Sequence, residues 1–118
     1  MSSLNKKSKA VHVRWYRPII NALKELGGSA TPKEVRQQIA DDLKLSKEEL
    51  NETYSSNRNI FVTQVGYARN DLVIEEYIDK SIPGRWTLTE KGKTVNMTEE
   101  LANEIVFAVN SPDRKNKK

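Results

Sequence analysis

Cysteine is absent and histidine occurs once, as His12. Without cysteine there is no disulfide, no thiolate nucleophile and no cysteine-containing metal site. A single histidine, set in a lysine-bearing N-terminal segment, reads as an incidental arm residue. Also missing are a serine, histidine and acid set, a phosphate-cradling glycine loop and any metal-ligand spacing. Asp41-Asp42 and Glu48-Glu49 resemble paired carboxylates, but sequence neighbours on a helix point apart. The chain is therefore expected to carry no catalytic residue, no metal and no cofactor, and not to be an enzyme. No apolar run approaches the ~20 residues of a membrane span. The N-terminus lacks the apolar core of a signal peptide. The expectation is a protein with no membrane partner, cytoplasmic, and nucleoid-associated if prokaryotic.

An excess of charge is missing as well, once the net +4 is resolved along the chain. Lys6, Lys7, Lys9 and Arg14 supply all of it. Residues 15–95 carry 12 basic and 12 acidic groups, and residues 96–118 carry 4 of each. Basic ends track phosphates, but a solubilising tail has the same composition. The folded body makes no electrostatic case for a polyanion by itself.

The 118 residues, 36% hydrophobic and 31% charged, suit one small domain with a modest core. Met1 to Val13 has no sustained periodicity, so residues 1–13 read as a flexible basic arm. Trp15, Ile19, Leu23 and Leu26 form the stripe of a first helix over about 16–26, with Pro18 in its first turn and Gly27-Gly28 at its end. Thr31-Pro32-Lys33-Glu34 is a capping box that opens a helix over 32–43, with Val35, Ile39 and Leu43 in line. Ser46-Lys47-Glu48-Glu49 is a second capping box, followed by a short turn through Leu50. Asn51 to Asn57 is polar and reads as a loop.

The most informative stretch follows. Phe61, Val65, Ala68 and Leu72 recur at helical spacing over 58–74. At ~100° per residue, Asn59, Thr63, Gly66 and Asn70 fall on the far side, flanked by Arg58, Arg69 and Tyr67. That outward face lacks the usual lysine and glutamate mixture. Asparagine can read adenine, threonine can meet either base of a pair, and arginine can read guanine or hold phosphate. Gly66 costs a helix interior ~1 kcal/mol relative to alanine, and a bare backbone there admits a close approach. The plainer alternative is a core helix in which Gly66 makes room for a neighbouring element.

Tyr77-Ile78 is β-prone, Ser81-Ile82-Pro83-Gly84 is turn chemistry, and Arg85 to Thr89 alternates with period two. This is a hairpin, with Trp86 and Leu88 inward, ended by Glu90-Lys91-Gly92-Lys93. Leu101, Ile105 and Val109 then define a last helix over about 98–109, stopped by Ser111-Pro112. Residues 110–118 read as a disordered basic tail.

Helices followed by a hairpin give an α+β, mostly helical class. The specific expectation is a winged helix-turn-helix over residues 14–95, with an added C-terminal helix in 96–109. In that fold the third helix enters the major groove and the hairpin, or wing, meets the backbone. Double-stranded DNA becomes the expected partner. Base or phosphate contacts are expected from Arg58, Asn59, Thr63, Gly66, Tyr67, Arg69 and Asn70 on the helix. Lys80 and Arg85 are expected to contact DNA from the wing. A winged-helix protein–protein module is the alternative, and a partner-assisted DNA-modifying role a third. Residues 98–109 are expected either to cover the first helix of their own domain or to form a homodimer.

Residues 61–72, Phe-Val-Thr-Gln-Val-Gly-Tyr-Ala-Arg-Asn-Asp-Leu, followed by Gly84-Arg85-Trp86-Thr87-Leu88-Thr89-Glu90-Lys91-Gly92, resemble the N-terminal domain of Mrr-type restriction proteins. That family carries an Arg-Val-Gly-Trp-Ala-Arg run and an Arg-Gly-aromatic-x-Ile-Thr-x-x-Gly run at similar places. The resemblance covers about residues 15–95. It implies a winged-helix DNA-recognition module, of a transcription regulator or a restriction system; Gln64 is counted among the expected DNA contacts, although glutamine at the family's arginine position removes a possible phosphate contact. Three departures stand out: Gln64 replaces an arginine, Tyr67 a tryptophan, and Glu76 the usual helix-ending glycine. In full-length members a nuclease domain follows. Here 23 residues follow Val95, too few for that domain, so the resemblance implies binding rather than cleavage.

Overall fold

The computed structural model describes residues 11–109. Lys6, Lys7 and Lys9 of the expected arm, and the tail 110–118, lie outside the described residues. A 3₁₀ turn over Val11–Trp15 leads into α1 (Tyr16–Glu25), β1 (Ser29–Ala30) and α2 (Pro32–Leu43). Then come the short α3 (Lys47–Asn51), the long α4 (Ile60–Ile74), β2 (Ile78–Asp79) and β3 (Trp86–Leu88). The short α5 (Glu90–Thr94) and α6 (Glu99–Val109) complete the described residues. The class is α+β and mostly helical.

Local chemistry sets these boundaries. Thr31 and Ser46 accept from the backbone N–H groups of Glu34 and Glu49, whose carboxylates bond back to the cap N–H groups, so both expected capping boxes are complete. α1 ends at Gly27 and Gly28, both at positive φ. α4 ends with the Tyr77 N–H donating to the Leu72 carbonyl at 2.8 Å and the Glu76 N–H donating to the Val73 carbonyl at 3.0 Å. That closure requires a left-handed residue, and Glu76 fills the place at φ 68°. Glycine is the usual occupant there because it has no Cβ to crowd the carbonyl.

The sheet is antiparallel with order β1-β3-β2. Ser29 pairs with Thr87 and Ala30 with Trp86; Ile78 pairs with Leu88 and Asp79 with Thr87. The expected hairpin is present, and β1 extends it by a strand that two residues of sequence were too short to announce. The alternation of β3 buries Trp86 and Leu88 against the helices. α5 was also expected to be mere hairpin ending. Thr89 caps it by accepting from the Gly92 N–H at 3.0 Å.

One core joins the 3₁₀ turn, α1, α2, α4, α6 and the sheet. Trp15, Tyr16, Ile19, Ile20 and Leu23 meet Val35, Ile39, Ile60, Val65, Leu72, Ile78 and Leu88. Leu43, expected in this core, is exposed at the end of α2. The folded body begins earlier than the sequence suggests, because the Val11–Trp15 turn packs on α1 and α4. α6 buries Ala102, Ile105 and Val109, with α4 and the 3₁₀ turn as its main neighbours. The apolar stripe considered for a dimer is thus used inside the domain, and Phe107, 80% exposed, is left projecting.

Candidate nucleic-acid interface

α4 has two faces of different character. Its inner face is fully partnered. Phe61, Val65, Ala68 and Leu72 are buried in the core. Gln64 is only 2% exposed; its side-chain oxygen accepts from Trp15 Nε1 at 2.9 Å and its nitrogen donates to the Tyr54 hydroxyl at 3.2 Å. Gln64 is therefore a core residue and not the surface contact expected of it. An arginine at this place would bring its charge into the same enclosure, where an unpaired charge is costly. Asp71, also buried, accepts from the Tyr16 hydroxyl at 2.5 Å and pairs with His12 Nε2 at 2.8 Å. Burial first, and then the Asp71 carboxylate, push the Tyr16 hydroxyl pKa far upward. His12 is thus no incidental arm residue; it anchors the 3₁₀ turn to α4.

The outer face forms a shallow groove of about 470 Å³, lined by Arg58, Asn59, Val62, Thr63, Gly66, Tyr67, Arg69 and Asn70. The lining holds two arginines and no carboxylate. Tyr67 is 48% and Val62 43% exposed. Thr63 and Asn70 present side chains for which no bond is found among the described residues. Val62 was not singled out in the sequence; its place four residues before Gly66 puts it on the same strip of helix.

Several expected contacts are engaged elsewhere. Asn59 is the N-cap of α4: its oxygen accepts from the Val62 N–H at 2.9 Å and its amide donates to the Leu50 carbonyl at 2.7 Å. Asn59 edges the groove while its amide is spent on starting the helix. Arg69 lies with its guanidinium 5.6 Å from the Trp86 ring centre, and its buried Nε has no hydrogen-bond partner among the described residues. Arg85 does not project from the hairpin tip. Its Nε donates to Ser29 Oγ at 3.0 Å and its Nη2 to the Ser29 carbonyl at 2.9 Å. It also lies near Glu34, whose carboxyl is held below its ordinary range chiefly by the Thr31 backbone N–H and hydroxyl, with Arg85 a smaller cause. Lys80, by contrast, is exposed on the hairpin loop.

Gly66 discriminates between the two readings of this face. Its φ is not positive, so no backbone requirement selects glycine. A Cβ built there meets nothing within 4 Å, so no neighbouring element needs the room. The plainer explanation of Gly66 is thereby removed for the described residues, and the helix bears the cost of a glycine with no internal return.

Among the described residues no group of three or more acidic, histidine or cysteine side chains is placed to hold a metal. No helix among them is long and apolar enough to cross a membrane.

A small helical domain, closed by a three-stranded antiparallel sheet and presenting one neutral, arginine-flanked helix face, is the frame these observations define. The chain belongs to the Mrr N-terminal domain family, whose model matches residues 12–98. The match begins at His12, inside the 3₁₀ turn. Searches of curated proteins and of solved structures returned no match.

Proposed function

We propose that this domain binds double-stranded DNA as a winged helix, with α4 in the major groove and the β2–β3 hairpin as the wing. The observation that carries the reading is Gly66, a helix-interior glycine with no internal role at the centre of an open groove. A helix seated in the major groove reads base edges through its side chains, and a glycine among them lets the helix approach the bases more closely at that point. Thr63 and Asn70 flank Gly66 with unspent hydrogen-bonding groups suited to base edges. Arg58, just before α4, and Lys80, on the hairpin loop, are both exposed and are the cations proposed to meet phosphates. The succession of helices, the hairpin after α4 and the sheet order β1-β3-β2 support the winged-helix reading. Membership of the Mrr family supports a DNA-recognition role in a restriction-type system, with transcriptional regulation the other use of such a module.

A protein-binding winged helix is the second reading, favoured by the exposure of Val62 and Tyr67 within the groove. Salt separates the two. Counterion release makes log K for a duplex fall with log[salt] with a slope of about −0.9 per phosphate contacted. Replacing Arg58 and Lys80 together by alanine is expected to flatten that slope by about two contacts' worth. A protein with no salt-dependent duplex affinity would support the protein-binding reading instead.

A further inference from the structure

The single histidine links the back of the α4 groove to its front. His12 Nε2 lies 2.8 Å from Asp71 Oδ2, on the residue immediately after Asn70. The same imidazole meets the Tyr67 ring edge-on, with 6.1 Å between ring centres, and the Tyr16 ring at 6.3 Å. Tyr67 is a lining residue of the groove. One side chain therefore touches both the buried carboxylate under the presenting helix and the aromatic group that it exposes.

The surrounding charges define what a proton on His12 does. From α4 it faces Asp71 and Tyr67, with Glu75 close enough to act on Tyr16 through space. From α1 it faces Tyr16, a neutral hydroxyl donor to Asp71. Arg17 of α1 and Glu99 of α6 border the adjoining cleft beside Val13 and Arg14 of its own turn. Arg14 in turn lies 5.1 Å from the Trp15 ring centre. Among the described residues, Asp71 is the charged group at contact distance from the imidazole.

We infer that His12 is a positioning residue for duplex binding that makes affinity depend on pH. Protonated, it neutralises Asp71 behind the groove and holds Tyr67 by its ring. Neutral, it leaves a negative charge uncompensated one residue from Asn70, facing a polyanion. Duplex binding then favours the protonated form, and affinity falls as rising pH removes that proton. The inference rests on the reading that this face of α4 meets DNA.

The test is duplex affinity of the wild type and His12→Gln, measured at fixed salt between about pH 5.5 and about pH 8 with a random-sequence duplex as probe. Glutamine keeps an N–H for Asp71 and cannot take the charge. Wild-type affinity is expected to fall roughly three- to tenfold across the range, the size of one unit charge acting near the surface. The variant is expected to change by less than about twofold and to lie near the wild type's high-pH value. The α-amino group also titrates here, but it is common to both proteins and cancels in the comparison. Equal pH profiles in the two proteins, or a flat wild-type profile, would overturn the inference while leaving duplex binding intact. Should circular dichroism show His12→Gln unfolded, His12→Asn, which also carries an amide N–H and cannot take the charge, takes its place: a profile flattened to less than about twofold supports the inference, and an unchanged slope overturns it. Absence of any duplex binding at either pH is a different result, and counts against the DNA-binding reading itself.

Discussion

Two glycines sit inside helices, and a methyl group would mean opposite things at each. At Gly92, in α5, a Cβ would overlap the Tyr77 carbonyl oxygen and press on the Leu88 side chain. That glycine lets α5 close onto the hairpin, and its reason lies wholly within the domain. At Gly66, in α4, a Cβ would meet nothing within 4 Å among the described residues. The same residue type is structural where the surroundings are full, and points outward where they are empty. Composition and spacing do not separate the two cases; the space around the α-carbon does.

The comparison sharpens first at Gly92. Gly92→Ala is expected to destabilise the domain by about 3 kcal/mol or more, because backbone rather than a flexible side chain must yield. Urea unfolding measures it, and a variant as stable as wild type would mean that the α5–hairpin contact is looser than described. The next contrast lies within α4. Gln64→Ala removes the partner of buried Trp15 Nε1 and leaves a cavity, at a cost of about 2–4 kcal/mol. Asn70→Ala, six residues on, is expected to stay within about 0.5 kcal/mol of wild type while relaxing sequence preference among duplexes. Equal destabilisation by both would erase the distinction between the faces. The smallest effect concerns backbone alone. Glu76→Gly relieves a left-handed residue and is expected to stabilise by about 0.5–1 kcal/mol, read as a shift of the urea midpoint without change of slope. A loss of stability would mean that the Glu76 side chain makes contacts that offset its strain.

Much of the fold was legible in the sequence because its signals are local. Capping boxes at Thr31 and Ser46, the stripe from Phe61 to Leu72 and the alternation around Trp86 each fall within a few residues. β1 was not legible: two residues of strand show no periodicity and are defined by Thr87 and Trp86 across the sheet. α5 was hidden for a related reason, since Thr89 and Gly92 also read as turn chemistry. The site was legible as a face and misread at particular residues. Helical spacing put Thr63, Gly66, Tyr67 and Asn70 on one groove with Arg58 and Arg69 beside them. It could not show that Asn59 caps the helix, that Arg85 turns back to Ser29, or that Gln64 faces Trp15. The partners of Gln64 and Arg85 lie 49 and 56 residues away in the chain; the Asn59 cap is local, three residues from Val62, and was overlooked because asparagine also suits base readout. His12 was misjudged similarly, because Asp71 is 59 residues distant.

The most direct test of the central claim is Gly66→Ala with stability and duplex affinity measured on the same preparation. An added methyl on an unobstructed helix face should stabilise the free domain by up to about 1 kcal/mol. If that face meets the major groove at close range, the same methyl should weaken duplex binding by roughly tenfold or more. A more stable domain that binds duplex DNA less well is the predicted result. A more stable domain whose duplex affinity is unchanged would contradict it and remove Gly66, and with it the centre of this groove, from the interface.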